Sequence, residues 1–186
     1  MGRLMELPAD LPVPADDGAA AHLRGVRVPH LALPSTGGRL VDAGALGEGR
    51  TVLYLYPRTG RPDRGVPPGW DSIPGARGCT PESCGFRDHF AELQALGAGV
   101  FGVSTQDTGY QREAAQRLRL PFELLSDVRL ELATAMRLPT FQFEGETLLK
   151  RLTMIVLDGR VEHVFYPVFP PDSHAAEVVR HLGTGA

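Results

Sequence analysis

The stretch Gly78-Cys79-Thr80-Pro81-Glu82-Ser83-Cys84 contains both cysteines of this 186-residue chain. Pro81 suits the first turn of a helix, Thr80 can cap that helix, and Glu82 adds an early negative charge. Cys79 is therefore expected at a helix N-terminus, where free N–H groups and the helix dipole stabilise a thiolate. Because the thiolate is the nucleophilic form of cysteine, the stretch predicts thiol redox chemistry.

The spacing of the two cysteines restricts how they can pair. On an ideal helix their side chains point about 140° apart, with a rise of about 7.5 Å. A disulfide needs Cα atoms within about 7 Å and converging Cβ atoms. Either the first turn unwinds on oxidation, or the two thiols never pair. Two unrelated buried cysteines would show the same spacing, since free cysteine is often buried.

Length and composition indicate one domain of ordinary size. A hydrophobic content of 42% and a charged content of 22% are average for a globular protein. The net charge of −3 argues against nucleic acid or an anionic membrane as partner. The N-terminal residues lack the apolar core of a signal peptide, so we expect a cytoplasmic protein. In that compartment a lone cysteine pair is more often catalytic or metal-binding than structural.

The order of strand and helix signals predicts an α/β fold. Residues 1–28, rich in Pro, Ala and Asp, are interpreted as an N-terminal arm, docked or disordered, and 29–186 as one domain. Strands are predicted at 51–56, 100–104, 122–125, 152–157 and 161–165, with a hairpin around 35–38. Helices are predicted at 80–96, 109–118, 128–137 and from a Ser173 cap to about Gly183. This order predicts a mixed central sheet flanked by helices, with an N-terminal β-hairpin extension.

The segment 58–78 precedes the cysteines and is rich in glycine and proline. Neither a helix nor a central strand is credible there. Loops of this length in compact domains are usually functional or disordered. Trp70 and Ile73 indicate that part of the segment packs against the body.

Six stretches together resemble the Q-type, or bacterioferritin-comigratory, peroxiredoxins, which elaborate the thioredoxin fold. They are residues 54–57, 78–88, 100–105, 124–127, 151–159 and 160–165, and the resemblance covers roughly 26–182 in order. It implies a thiol-dependent peroxidase without metal or organic cofactor. It also implies that Cys79 is the peroxidatic cysteine, that Cys84 resolves it as an intramolecular disulfide, and that Arg151 favours the thiolate and orients the peroxide.

The sequence departs from the family at one position. Peroxiredoxins carry Pro-x-x-x-Thr-x-x-Cys, whereas Ala76 stands three residues before Cys79. Pro57 is a candidate for the pocket wall, but about fifteen inserted residues displace it from the place of the proline in the family pattern. The missing hydroxyl could come from Thr59, Ser72 or Thr80, and Thr80 could equally be only a helix cap. Our hypothesis is that 58–78 rebuilds the rim of the site, with Trp70 in the wall; the alternative is a surface insertion that leaves the pocket unchanged.

Partners and rival functions follow from the same resemblance. It implies a hydroperoxide substrate and a thioredoxin-like or glutaredoxin-like reductant, and it allows a monomer or a homodimer. A disulfide oxidoreductase on this fold would use Cys-x-x-Cys, and a redox sensor would react without turning over.

A Cys/His zinc site with His89 lacks enough ligands. The carboxylates of Glu82, Asp88 and Asp127 are interpreted as helix caps and surface ion pairs, and His163 as a strand residue.

Overall fold

The computed structural model describes residues 2–184. The strands in this range are β1 (Ala32–Pro34), β2 (Leu40–Asp42), β3 (Arg50–Leu55), β4 (Ala98–Ser104), β5 (Leu124–Ser126), β6 (Thr140–Phe143), β7 (Glu146–Leu149), β8 (Leu152–Leu157) and β9 (Arg160–Phe165). The helices are α1 (Gly2–Met5), α2 (Cys79–Asp88), α3 (Phe90–Ala95), α4 (Thr108–Leu118), α5 (Glu131–Met136) and α6 (His174–Gly183), and Trp70–Ser72 forms one 3₁₀ turn.

Five strands form the central sheet, in the order β5-β4-β3-β8-β9. β3 pairs parallel with β4 and antiparallel with β8, so the sheet is mixed. β5 continues the parallel side and β9 the antiparallel side. Two hairpins, β1–β2 and β6–β7, lie outside this sheet. The predicted α/β class with a mixed sheet flanked by helices is confirmed.

Strand β3 supplies side chains to both faces of the sheet. Val52 and Tyr54 belong to a buried cluster with residues of α2, α3 and α6. Leu53 and Leu55 belong to a second cluster with residues of α5. This alternation is the period-two pattern of a strand covered on both faces, and it explains why all of residues 51–56 are apolar or buried.

The segment predicted as an arm docks on the body. Ala20, Leu23 and Val28 are buried in the second cluster, and Val28 N–H donates to Gly159 O at 2.9 Å. Within residues 2–184, therefore, this part of the chain contributes to the core instead of lying outside it. The reason is that its few apolar side chains find uncovered sheet surface beside β9.

Several predicted helix boundaries are wrong. The predicted helix 80–96 is two helices, α2 and α3, that meet at His89, whose φ of −96° and ψ of 7° lie outside the helical range. Helix α5 begins at Glu131 because the Asp127 carboxylate accepts the N–H groups of Leu132 and Ala133 at 3.0 and 2.8 Å. Ser173 holds the N-cap position of α6 without a capping hydrogen bond from its side chain. No helix in 2–184 combines the length and apolar character needed to cross a bilayer.

Gly102 lets β4 approach the ring of Tyr54, which stacks on Phe86 of α2 at 4.5 Å. A Cβ at position 102 would lie 2.6 Å from the Tyr54 ring and from Leu124 Cδ2. We predict that Gly102→Ala lowers the free energy of unfolding by about 1–3 kcal/mol through overpacking, measured by denaturant titration. Gly99→Ala on the same strand is the control, because its Cβ would meet only Thr51 Oγ1 at 3.7 Å. Equal stability of the two variants would contradict the packing argument.

Candidate active site

Cys79 is the first residue of α2, as the sequence predicted, and its side chain is 3% exposed. The N-cap is Gly78 and not Thr80, which lies inside the helix. Gly78 has φ 106°, and a Cβ there would lie 2.3 Å from Pro171 Cγ. Glycine is therefore required where the chain enters α2, because it combines left-handed backbone with close contact to the 171 loop.

Arg151 lies directly before β8, not on the predicted strand, and reaches Cys79 with its buried guanidinium. Nη2 donates to Cys79 Sγ at 3.1 Å and to the carbonyls of Ala76 and Arg77 at 3.2 and 3.1 Å. Nε donates to Gly75 O at 3.2 Å. The planar guanidinium thus holds both the turn before α2 and the Cys79 sulfur in place, because it carries several N–H donors in fixed directions.

Glu82 is the third partner of this network. Its carboxylate pairs with Nη1 of Arg151, and both side chains are almost fully buried. The interpretation of Glu82 as a helix cap or surface ion pair was therefore wrong. Position 82 lies three residues after Cys79, so it faces the same side of α2, and this spacing was the available signal. Burial raises the pKa of Glu82 to about 7, although the Arg151 charge opposes the rise.

Opposing effects set the ionisation of Cys79. Burial raises the pKa of its thiol above the ordinary value, the Arg151 charge lowers it, and the Glu82 carboxylate raises it again. The Arg58 backbone N–H also favours the thiolate. The net direction of the Cys79 pKa is upward, because removing the sulfur from water outweighs the Arg151 guanidinium.

A cavity of about 50 Å³ opens onto Cys79. Segment 58–78 supplies much of its wall, including Arg58, Val66 and the buried Trp70. Trp70 packs edge-on against Phe143 of β6 at 4.9 Å, and Arg58 lies over its ring at 4.7 Å. The β6–β7 hairpin that holds Trp70 in place was missed, although residues 140–143 alternate and precede a Glu-Gly turn.

The three candidate hydroxyls occupy different environments. Thr80 is 4% exposed and lines the Cys79 cavity. Thr59 instead directs its N–H and Oγ1 to Gln106 Oε1 at 2.9 and 3.2 Å. Ser72 is exposed in the 3₁₀ turn. Pro57 is buried after β3, and the adjacent Arg58 is the residue that reaches the cavity.

Cys84 is a free thiol on the same intact helix as Cys79 and is not at disulfide distance from it. Burial raises the pKa of the Cys84 thiol. Its Sγ lies 3.8 Å from Sδ of Met5 in α1. Leu4 lines the Cys79 cavity, and Arg77 donates to Glu6 O at 3.2 Å. Residues 4–6 therefore cover both cysteines, which the sequence did not predict.

The other polar residues singled out in the sequence lie apart from this network. Asp88 pairs with Arg87 at the surface, and His89 bonds Glu92 at 2.8 Å. His163 is in β9, as predicted, with its ring centroid 4.1 Å from that of His181. Asp127 caps α5 but is buried, so its predicted capping role is confirmed and its surface position is not.

Comparisons with known proteins identify the family of this chain. The Redoxin family profile matches residues 23–179. The chain belongs to the Redoxin family. Within it, the putative peroxiredoxin bcp of Coxiella burnetii is 29% identical over 164 residues, covering 85% of this chain and 97% of that protein. The putative chloroplastic peroxiredoxin Q of Oryza sativa subsp. indica is 29% identical over 160 residues, or 86% of this chain, which spans 66% of the rice protein.

A solved structure supports the same assignment for this Redoxin chain. Peroxidoxin BcpB from Mycobacterium tuberculosis superposes with a TM-score of 0.68 at 27% identity, covering 87% of this chain and 96% of that structure. The resemblance to Q-type peroxiredoxins and the predicted thioredoxin-like fold are confirmed.

The buried Glu82 carboxylate gives a prediction about the Cys79 thiol. Glu82→Gln keeps the shape of the side chain and removes a negative charge beside the sulfur. We expect the pH midpoint of Cys79 alkylation by a bromobimane reagent, measured in a Cys84→Ser background, to fall by about one unit. Asp88→Asn is the control, since it removes an exposed charge from the same helix. A midpoint that stays in place or rises in Glu82→Gln would contradict the electrostatic assignment.

Proposed function

We propose that this chain is a thiol-dependent peroxidase in which Cys79 reduces hydrogen peroxide and organic hydroperoxides. The observation that carries the proposal is the Arg151 guanidinium, 3.1 Å from Cys79 Sγ beside a small cavity. The Cys79 thiolate attacks the terminal peroxide oxygen, forming an S–O bond as the O–O bond breaks. The electron pair leaves on the other oxygen, which takes a proton to become water or an alcohol, and Cys79 becomes a sulfenic acid.

The site residues have separate roles in this proposal. Arg151 and the Arg58 N–H hold the sulfur and stabilise negative charge in a site from which most water is excluded. Thr80 is the proposed hydroxyl that contacts the peroxide, because it lines the same cavity. Pro57 supports this wall from behind, by fixing the chain before Arg58.

Resolution by Cys84 is the next proposed step. The Cys84 thiolate attacks the sulfenic sulfur of Cys79, forming a disulfide and releasing water after proton transfer. Since α2 is intact from 79 to 88 and the two sulfurs are not at disulfide distance, its first turn must unwind beforehand.

A thioredoxin-like or glutaredoxin-like dithiol then reduces the disulfide and restores both thiols. This requirement favours a reducing compartment such as the cytoplasm. Either a monomer or a homodimer is compatible with a disulfide formed within one chain.

The test is steady-state consumption of hydrogen peroxide with a thioredoxin system, using the full chain, Cys79→Ser and Cys84→Ser. We expect Cys79→Ser to abolish turnover and Cys84→Ser to allow a single round, because the sulfenic acid then forms without resolution. Turnover retained by Cys79→Ser would overturn the proposal. Rapid oxidation of wild type without turnover, with a glutaredoxin system as well, would instead indicate a redox sensor.

The contact between Met5 and Cys84 predicts the rate of resolution. Met5→Ala removes the side chain that packs on Cys84 Sγ, which weakens the cover over folded α2. We expect disulfide formation after one equivalent of peroxide to accelerate about threefold, a change of less than 1 kcal/mol. The fluorescence of Trp70, the single tryptophan, reports this step in stopped flow because its ring lines the Cys79 cavity.

Val13→Ala provides the control, because Val13 belongs to the same N-terminal segment and is 68% exposed. It should leave the resolution rate unchanged. Slower resolution in Met5→Ala would show that residues 4–6 assist unwinding instead of resisting it.

A further inference from the structure

A second cavity of about 590 Å³ adjoins the Cys79 cavity. The two have Arg58, Gly60, Gly65 and Pro67 in common, so they lie side by side along this stretch of the chain. The Cys79 cavity has room for little more than the peroxide group of a substrate. The larger cavity has the size of a typical small-molecule site. Hydrogen peroxide makes no use of that volume.

Three arginines lie on the part of segment 58–78 that lines the larger cavity. Arg58, nearest the sulfur, is paired with Glu144 and Glu146 at 3.4 Å each. Arg61 and Arg64 form no ion pair with any residue in 2–184. Asp63, between them in sequence, is exposed and is not part of the lining. The lining also holds three carboxylates, Asp107, Glu144 and Glu146, but both glutamates pair with Arg58, which leaves the guanidinium groups of Arg61 and Arg64 without an ion pair among the described residues.

The environment of Arg61 indicates an anionic partner. Its guanidinium carbon lies 4.5 Å from the centroid of the Tyr110 ring, and its Nε is buried without a hydrogen-bond partner among the described residues. A buried donor without an acceptor is costly. Burial raises the pKa of Tyr110, and the charges of Arg61, Arg58 and Arg64 oppose the rise, which places all three near its hydroxyl. Asp107, the remaining carboxylate of the cavity, accepts from Tyr110 N at 2.9 Å.

We propose that the larger cavity binds the anionic end of an organic hydroperoxide, and that the preferred substrates carry a carboxylate or phosphate. This inference rests on the peroxidase activity proposed above. Arg61 and Arg64 bind the anion, Tyr110 donates its hydroxyl hydrogen to it, and the apolar part of the substrate lies along Val66 and Pro67 toward Cys79. The site thus selects hydroperoxides that carry an anionic group away from the reacting oxygen. Charge-assisted hydrogen bonds from the arginines bind that group.

The test uses a tertiary alkyl hydroperoxide with a carboxylate at the end of a flexible chain, and its methyl ester as the neutral match. We expect wild type to favour the carboxylate in kcat/KM, and the Arg61→Gln/Arg64→Gln variant to reduce the carboxylate-to-ester ratio about tenfold. The preference should also weaken as salt rises, because salt screens exposed charges. Arg180→Gln, an exposed charge on α6, is the control and should retain the wild-type ratio.

A carboxylate-to-ester ratio that is equal in wild type and in the double variant would overturn the inference. So would a double variant whose only defect is a raised KM for the thiol reductant, since the arginines would then bind the reductant. The same ratio of kcat/KM values, measured for a phosphate-bearing hydroperoxide and its neutral phosphotriester, shows whether the site prefers phosphate or carboxylate.

Failure of the inference can be separated from failure of the peroxidase proposal. The unreactive alcohol analogue of the carboxylate substrate should quench Trp70 fluorescence in Cys79→Ser, with weaker binding in the arginine variant. Binding without turnover in wild type would refute the peroxidase and retain the anion site. Turnover of hydrogen peroxide without binding of the alcohol analogue would refute the anion site and retain the peroxidase.

Discussion

The buried guanidinium of Arg151 is the constraint on which the site depends. A charge removed from water must be paired and hydrogen-bonded, or its burial is prohibitively unfavourable. Here three carbonyls of residues 75–77, the Glu82 carboxylate and Cys79 Sγ accept from it. The turn before α2, the start of the helix and the side chain one turn later are therefore all fixed by one cation. Loss of that cation would leave Glu82 buried without a counter-charge.

The same network explains why opposing effects act on the pKa of Cys79. Two potential anions, Cys79 and Glu82, share one buried cation, and the Glu82 carboxylate makes ionisation of Cys79 harder. Burial excludes the water that would compete for a peroxide, yet it also disfavours the thiolate. As the pH falls through about 7 the Glu82 carboxyl takes up a proton, and Arg151 then acts mainly on the sulfur.

Local patterns in the sequence were sufficient for part of this arrangement. The strand signals at 51–56, 152–157 and 161–165 and the proline after Cys79 each depend on neighbouring residues, so β3, the last hairpin and the start of α2 were predictable. The pairing of Glu82 with Arg151 was not predictable, because it joins residues that are 69 positions apart in the chain. The cover of Cys84 by Met5 is likewise a tertiary contact without a local signal, and the sequence indicated that Trp70 packs on the body but not that its partner is the β6–β7 hairpin.

Unwinding of α2 connects these contacts to the proposed catalytic cycle. The first turn is held by the Gly78 O to Glu82 N–H bond and by Met5 over Cys84, and it keeps the Glu82 carboxyl buried against Arg151. Unwinding would hydrate Glu82 and return its pKa from about 7 toward the ordinary value of 4.5. The folded turn binds that proton more tightly, so its stability relative to the unwound turn falls as the pH rises from about 4.5 through 7. The carboxylate that makes Cys79 harder to ionise therefore also makes α2 easier to open above neutral pH, where the Cys84 thiolate needed for resolution becomes more abundant.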